Sequence, residues 1–131
     1  PGHASSWCAS HPEVCPNADC QTPLNPATNA TFDLIQDIFT DFADIYFENL
    51  MHLGGDEVNT DCWNSDPVVS AWLTQNNFTA SDAYMYFVNR VQSIARGLDK
   101  QVVGWEEIWT NFGTSLDKST IIHQWLPGST V

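Results

Sequence analysis

Asn49-Leu50-Met51-His52-Leu53-Gly54-Gly55-Asp56-Glu57-Val58 changes character twice within ten residues. Its first half is a brief apolar run bounded by a turn signal, which is how a strand covered on both faces reads. Gly54-Gly55 ends the run and leads straight into two adjacent carboxylates. Upstream, Phe32 to Phe47 places Ile35, Ile38, Phe39, Phe42, Ile45 and Tyr46 at helical spacing, with Thr31 as N-cap. Downstream, Asp66-Pro67 supplies a cap and a first-turn proline for a helix with Val68, Val69, Trp72 and Leu73 as its apolar stripe. A longer helix is predicted over Ser81 to Arg96, placing Tyr84, Phe87, Val88, Val91, Ile94 and Ala95 on one side, with Gly97 as its stop. Gln101-Val102-Val103-Gly104-Trp105 and Thr120-Ile121-Ile122-His123-Gln124-Trp125 are two further strand candidates, separated by a loop.

The resulting order is loop, helix, strand, helices, strand, loop, strand. Short apolar strands alternating with amphipathic helices suit a parallel β/α architecture, in which functional residues gather after the carboxyl ends of the strands. His3, Asp56 with Glu57, Trp105 and Trp125 all fall near such ends. The expected fold class is therefore α/β, as a partial barrel. The pattern alone does not separate a barrel from an open doubly wound sheet, and 131 residues are too few for eight complete units. The chain opens on Pro1-Gly2-His3 with neither a starting Met nor a leader, and closes on Pro127-Gly128-Ser129-Thr130-Val131 directly after a strand-like run. Both ends look cut, which warns against reading residues 1–131 as a complete domain.

Four Lys plus Arg against sixteen Asp plus Glu give a formal charge of −12. That balance opposes binding to a phosphate backbone, which needs a positive footprint, and offers no polybasic patch to anionic lipid. No apolar run approaches the length of about 18 residues that would suggest membrane insertion. A hydrophobic share of 43%, with six Trp, seven Phe and three Tyr, argues for a folded chain.

Residues 8–30 carry three cysteines and four prolines among turn-favouring residues, and read as a long ordered excursion. A loop of that length inside a compact domain ordinarily serves a site. Cys8, Cys15, Cys20 and Cys62 suit two disulfides in any of three pairings and contain no CxxC. Asn29-Ala30-Thr31 and Asn77-Phe78-Thr79 are acceptor patterns for Asn glycosylation, and like the cysteines they point to the secretory route.

Adjacent carboxylates at a strand end have the chemistry for glycosidic cleavage, which needs a proton on the leaving oxygen and stabilisation of a cationic sugar centre. Glu57, with the longer side chain, suits the proton donor, and a charged Asp56 beside it would discourage its ionisation. Adjacent strand residues point to opposite faces, so the two need not form a facing pair. Substrate assistance fits better: Glu57 protonates while Asp56 orients a group on the sugar that itself attacks. On local composition alone, a capped, hydrogen-bonded turn accounts for the pair at least as well.

Trp105 and Trp125 can wall a sugar pocket, offering an apolar face to sugar C–H groups, or can pack in the core. Trp7, Trp63, Trp72 and Trp109 are assigned to structure. His3 can join a site network, whereas His52 buttresses the Gly-Gly turn; with His11 and His123 they make no metal-ligand cluster, and no cofactor is implied. Glu106 and Glu107 either line the acceptor side of the cleft or order its loop, and solvated carboxylates are the plainer expectation.

His52-Leu53-Gly54-Gly55-Asp56-Glu57-Val58 resembles the signature of the family 20 glycoside hydrolases, which include the lysosomal β-hexosaminidases and related exo-acting N-acetylhexosaminidases. Pro1-Gly2-His3, Val103-Gly104-Trp105-Glu106-Glu107 and Ile121-Ile122-His123-Gln124-Trp125 resemble neighbouring barrel segments of that family, in the same order across essentially all of the chain. The resemblance implies a piece of a (β/α)8 TIM barrel, roughly from the end of strand 3 through strand 6. It implies Glu57 as general acid/base, Asp56 as the group holding the substrate's 2-acetamido arm, His3 in the supporting network, and Trp105 and Trp125 around the terminal sugar. The implied reaction is retaining hydrolysis of terminal N-acetylglucosamine or N-acetylgalactosamine through an oxazolinium intermediate, with N-acetylhexosamine-terminated glycans as partners and lysosomal or secreted delivery. It also implies Cys20 with Cys62 and Cys8 with Cys15, and allows a homodimer of the full-length protein. The isolated piece is expected to be inactive. Competing readings are a non-catalytic carbohydrate-binding module and another β/α-barrel glycosidase with a carboxylate nucleophile.

Overall fold

The computed structural model describes residues 5–128, so His3 lies outside the described residues. In chain order the elements are helix α1 (Asn29–Ile45), strand β1 (Leu50–His52), helices α2 (Asp61–Ser65), α3 (Pro67–Asn76) and α4 (Ala80–Gly97), strand β2 (Gln101–Trp105), helix α5 (Glu106–Phe112) and strand β3 (Ile121–His123). Short 3-10 turns occupy Ser5–Ala9, Pro12–Val14 and Gly113–Ser115. The strands form one parallel sheet in the order β1-β2-β3. The chain divides into two compact units, one made of Pro1–Leu34 with Glu57–Phe87, the other of Ile35–Asp56 with Val88–Val131.

In the first unit, the long excursion is held covalently and by one buried carboxylate. Cys8 is bonded to Cys15 and Cys20 to Cys62, the pairing that the family resemblance implies. Asn17 Oδ1 accepts from the backbone N–H groups of Asp19 and Cys20, closing a turn, while its Nδ2 donates to Asp66 Oδ2 at 2.6 Å. Asp66 is only 2% exposed, and its other oxygen accepts from Val68 N and Val69 N at the start of α3. The same side chain therefore caps a helix and anchors the loop. In the same unit Val14, Leu24, Phe32, Trp63 and Phe87 are buried, with the Phe32 and Phe87 rings 5.3 Å apart. Val69 and Leu73 carry the apolar stripe of α3, whereas Val68, expected in it, is 62% exposed because it sits in the first turn on the outer side. Asn77, at φ 59°, closes α3 as a left-handed cap, with Phe78 N donating back to Leu73 O.

Three expected boundaries shift. α1 begins at Asn29, and Thr28 Oγ1 accepts from Ala30 N; Thr31 lies inside the first turn, buried, its hydroxyl donating to Asn25 O at 2.7 Å. α4 runs through Gly97, and the left-handed residue that stops it is Asp99, at φ 57°, with Lys100 N donating to Ala95 O and Asp99 N to Arg96 O. The expected loop after Trp105 is instead α5, which starts with no intervening residue.

In the second unit, register places Met51, Val102, Gly104 and Ile122 on one face of the sheet, and Leu50, His52, Val103, Trp105, Ile121 and His123 on the other. α5 folds back against its own strand because two glycines leave room for Ile108. A side chain on Gly104 would strike Ile108 Cδ1, and one on Gly55, at φ 97°, would meet Ile108 Cγ2 at 2.5 Å. Lys100 Nζ donates to the carbonyls of Tyr46 and Glu48 at 2.8 and 2.9 Å, fixing how the chain enters β1. Along α1, Ile35 is buried, but Phe42, Ile45 and Tyr46 are about half exposed or more.

The Cys20–Cys62 bond closes a sequence separation of 42, the Cys8–Cys15 bond one of 7. On chain-entropy grounds the first constrains the unfolded state by about 4 kcal/mol and the second by about 2.5 kcal/mol. In urea unfolding of the full-length protein, Cys20→Ala/Cys62→Ala is expected to cost more than Cys8→Ala/Cys15→Ala. Asp66→Ala should cost at least the ~1 kcal/mol of an ordinary cap, with Asp66→Asn milder because it keeps an acceptor.

Candidate active site

The three strands end on His52, Trp105 and His123, and all three side chains lie on the same sheet face. Trp105 stands on the central strand. Its ring centroid is 4.4 Å from that of His52 and 4.3 Å from that of His123, and Trp125 joins the cluster at 6.1 Å from Trp105. Trp105 and Trp125, the two candidates for pocket walls, thus lie in one cluster. Trp63, in contrast, is wholly buried, and Trp72 packs on Phe78 and Tyr86.

The backbone carries the β1–β2 pairing past the end of β1. Leu53 N donates to Val103 O at 2.8 Å and Trp105 N to Gly54 O at 2.9 Å. The chain then turns through Gly54 (φ 69°) and Gly55 (φ 97°), and Glu57 also has positive φ, at 48°. A side-chain residue held there is uncommon, and such positions concentrate at functional sites. Asp56 is half-buried, with Oδ1 placed 3.6 Å from where a Cβ on Gly54 would stand. Glu57 is exposed and begins the other compact unit.

His52 does buttress the Gly-Gly turn: its Nδ1 accepts from Gly54 N at 3.1 Å. A backbone N–H can only donate, so this nitrogen carries no proton and the proton of the neutral ring is on Nε2. Nε2 faces His123 Nδ1 at 3.3 Å, so His123 accepts there and carries its own proton on Nε2. The two rings form a directed chain. Partial burial holds the pKa of His52 below its ordinary value, the neighbouring His123 lowers it further, and Asp56 opposes both.

Two residues for which a solvated carboxylate was the plainer expectation belong instead to the frame of this cluster. Glu106 is 1% exposed, and its Oε1 accepts from Trp125 N at 2.8 Å and from Leu126 N. Glu107 accepts from the indole Nε1 of Trp125, at 3.0 and 3.2 Å from its two oxygens. His123 was likewise missed. Its signal was positional, because it sits two residues before Trp125 at the end of a predicted strand. Among the described residues, no group of three or more His, Cys, Asp or Glu is arranged to hold a metal.

The sequence model for the catalytic domain of glycosyl hydrolase family 20 matches residues 1–130. Beta-hexosaminidase 1 of Arabidopsis thaliana is 48% identical over 126 residues, 96% of this chain and 23% of that protein. Beta-hexosaminidase subunit beta of Homo sapiens is 25% identical over 134 residues, 95% of this chain and 24% of that protein. The chain therefore spans about a quarter of the length of the curated relatives it matches. Among solved structures, an exo-beta-N-acetylglucosaminidase from Vibrio harveyi in complex with N-acetylglucosamine superposes with a TM-score of 0.83 at 25% identity, over 96% of this chain and 21% of that one. A chitobiase from Flavobacterium johnsoniae does so with a TM-score of 0.80 at 26% identity, over 96% and 20%.

Protonating His52 would set two donors face to face at Gly54. With its folded pKa lowered, His52 binds fewer protons folded than unfolded, so its contribution to stability is complete above the unfolded value of about 6.5 and is lost as pH falls through that value towards the folded one. Urea unfolding of the full-length protein as a function of pH should show stability falling in that window. His52→Asn should flatten the slope; an unchanged slope contradicts the assignment.

Proposed function

The chain belongs to glycosyl hydrolase family 20, and on that premise we propose that the protein is a retaining exo-β-N-acetylhexosaminidase acting by substrate assistance. The observation that carries the reading is the convergence of Trp105, Trp125 and Asp56 at the carboxyl ends of parallel strands, where a terminal sugar can meet indole faces and a carboxylate together. Glu57 protonates the leaving oxygen. Asp56 receives the N–H of the 2-acetamido group, turning its carbonyl oxygen towards the anomeric carbon and stabilising the positive charge that develops on the ring it forms. Water, deprotonated by Glu57 in its second role, then opens the oxazolinium ion and restores the original configuration.

In this reading residues 1–131 are one part of a (β/α)8 barrel, from about the end of its third strand through its sixth, including the long cysteine-containing loop at 8–30. The support is the open sheet face: Leu50 and Ile121 stand 56% and 40% exposed on the side that would be interior in a closed barrel. The substrates are glycans or glycoconjugates ending in N-acetylglucosamine or N-acetylgalactosamine, and the protein is lysosomal or secreted. Two disulfides and the exposed Asn29 and Asn77 of the acceptor patterns support passage through an oxidising, glycosylating compartment. A homodimer of the full-length protein is compatible with this reading.

Hydrolysis of 4-nitrophenyl β-N-acetylglucosaminide by the full-length protein tests the division of labour. Glu57→Gln should lower kcat by about 10²- to 10⁴-fold. Asp56→Asn should lower kcat and weaken an oxazoline-mimicking inhibitor. Full activity after Glu57→Gln, or a covalent glycosyl adduct on either carboxylate, would sink the mechanism.

A further inference from the structure

Trp125 lies two residues past the end of β3 and is 45% exposed, so burial alone does not fix its ring. Three N–H groups fix it instead. Its own backbone N–H and that of Leu126 donate to Glu106 Oε1, and its indole Nε1–H is shared by the two oxygens of Glu107. These carboxylates are the first two residues of α5, which is seated by Ile108 against Gly55 and Gly104. Trp105 immediately precedes them. One tripeptide, Trp105-Glu106-Glu107, therefore supplies an aromatic wall and both grips on the facing one.

We propose that Glu106 and Glu107 are positioning residues for the terminal-sugar pocket, acting through Trp125: Glu106 fixes the course of its backbone and Glu107 the rotation of its indole. The inference rests on the reading of Trp125 as a pocket wall. The chemistry suits the task. An ionised carboxylate is acceptor-only and can take two N–H groups at once, and charge-assisted bonds are stronger than neutral ones. Glu107 pulls the indole by its polar edge, leaving the π-faces free for sugar C–H groups. A half-exposed tryptophan without this grip samples several rotamers, and the sugar would have to select one.

A double-mutant cycle in the full-length protein, read as KM and kcat on 4-nitrophenyl β-N-acetylglucosaminide, tests this. Glu107→Leu should raise KM roughly three- to tenfold, the worth of one ordinary hydrogen bond, and Glu107→Gln, which keeps a carbonyl oxygen, should restore most of it. Trp125→Phe removes the N–H, so Glu107→Leu on that background should add less than about twofold. An unchanged KM after Glu107→Leu, or an equal rise on both backgrounds, overturns the proposal. Trp125→Ala separates the two levels. If it leaves KM unchanged, the pocket-wall reading falls and takes the proposal with it; if it raises KM while the cycle shows no coupling, the positioning role alone is overturned.

Discussion

One backbone hydrogen bond, 2.9 Å from Trp105 N to Gly54 O, holds the site in register. It extends strand pairing into a segment that is no longer a strand, and so ties the Gly-Gly turn of the first strand to the last residue of the second. Glycine is required there for two separate reasons. Gly54 and Gly55 take positive φ, and Gly55 with Gly104 leaves the room that Ile108 fills. From that one seam follow the placement of Asp56 beyond the turn, the imidazole of His52 beneath it, and the start of α5 directly after Trp105.

The polar groups around this seam point in compatible directions. Gly54 N–H donates to His52, which sets the proton on the far side of that ring and orients His123 in turn. On the other flank, Glu106 and Glu107 accept from Trp125 and its neighbour. Aromatic faces are thereby fixed by hydrogen bonds at their edges, a frame that keeps them presentable without burying them. In the other unit, covalent ties and the Asp66 carboxylate hold the 8–30 excursion alongside the buried Val14 and Leu24.

Much of this was legible in the sequence. The three strands fall inside their predicted ranges because each is a short apolar run with a clear stop, and Asp66-Pro67 states a helix start in two residues. Resemblance, rather than spacing, selected the disulfide pairing. α5 escaped notice because seven residues give too little periodicity, although Ile108 and Phe112 are spaced i, i+4 and both are buried. The burial of Glu106 was not readable at all: a carboxylate goes inside only when donors meet it, and those donors are 19 and 20 residues away. Chain ends of helices moved for a local reason, since Asp99 took the left-handed cap that Gly97 was expected to take.

The central claim is that the substrate supplies its own nucleophile. The most direct measurement is the hydrolysis rate of the full-length protein on aryl glucosaminides whose N-acetyl group carries none, one, two or three fluorines. Substrate assistance predicts a steep, progressive fall in kcat as the carbonyl oxygen loses nucleophilicity. A rate indifferent to fluorination would mean that a protein carboxylate attacks instead, and would contradict the roles given to Asp56 and Glu57.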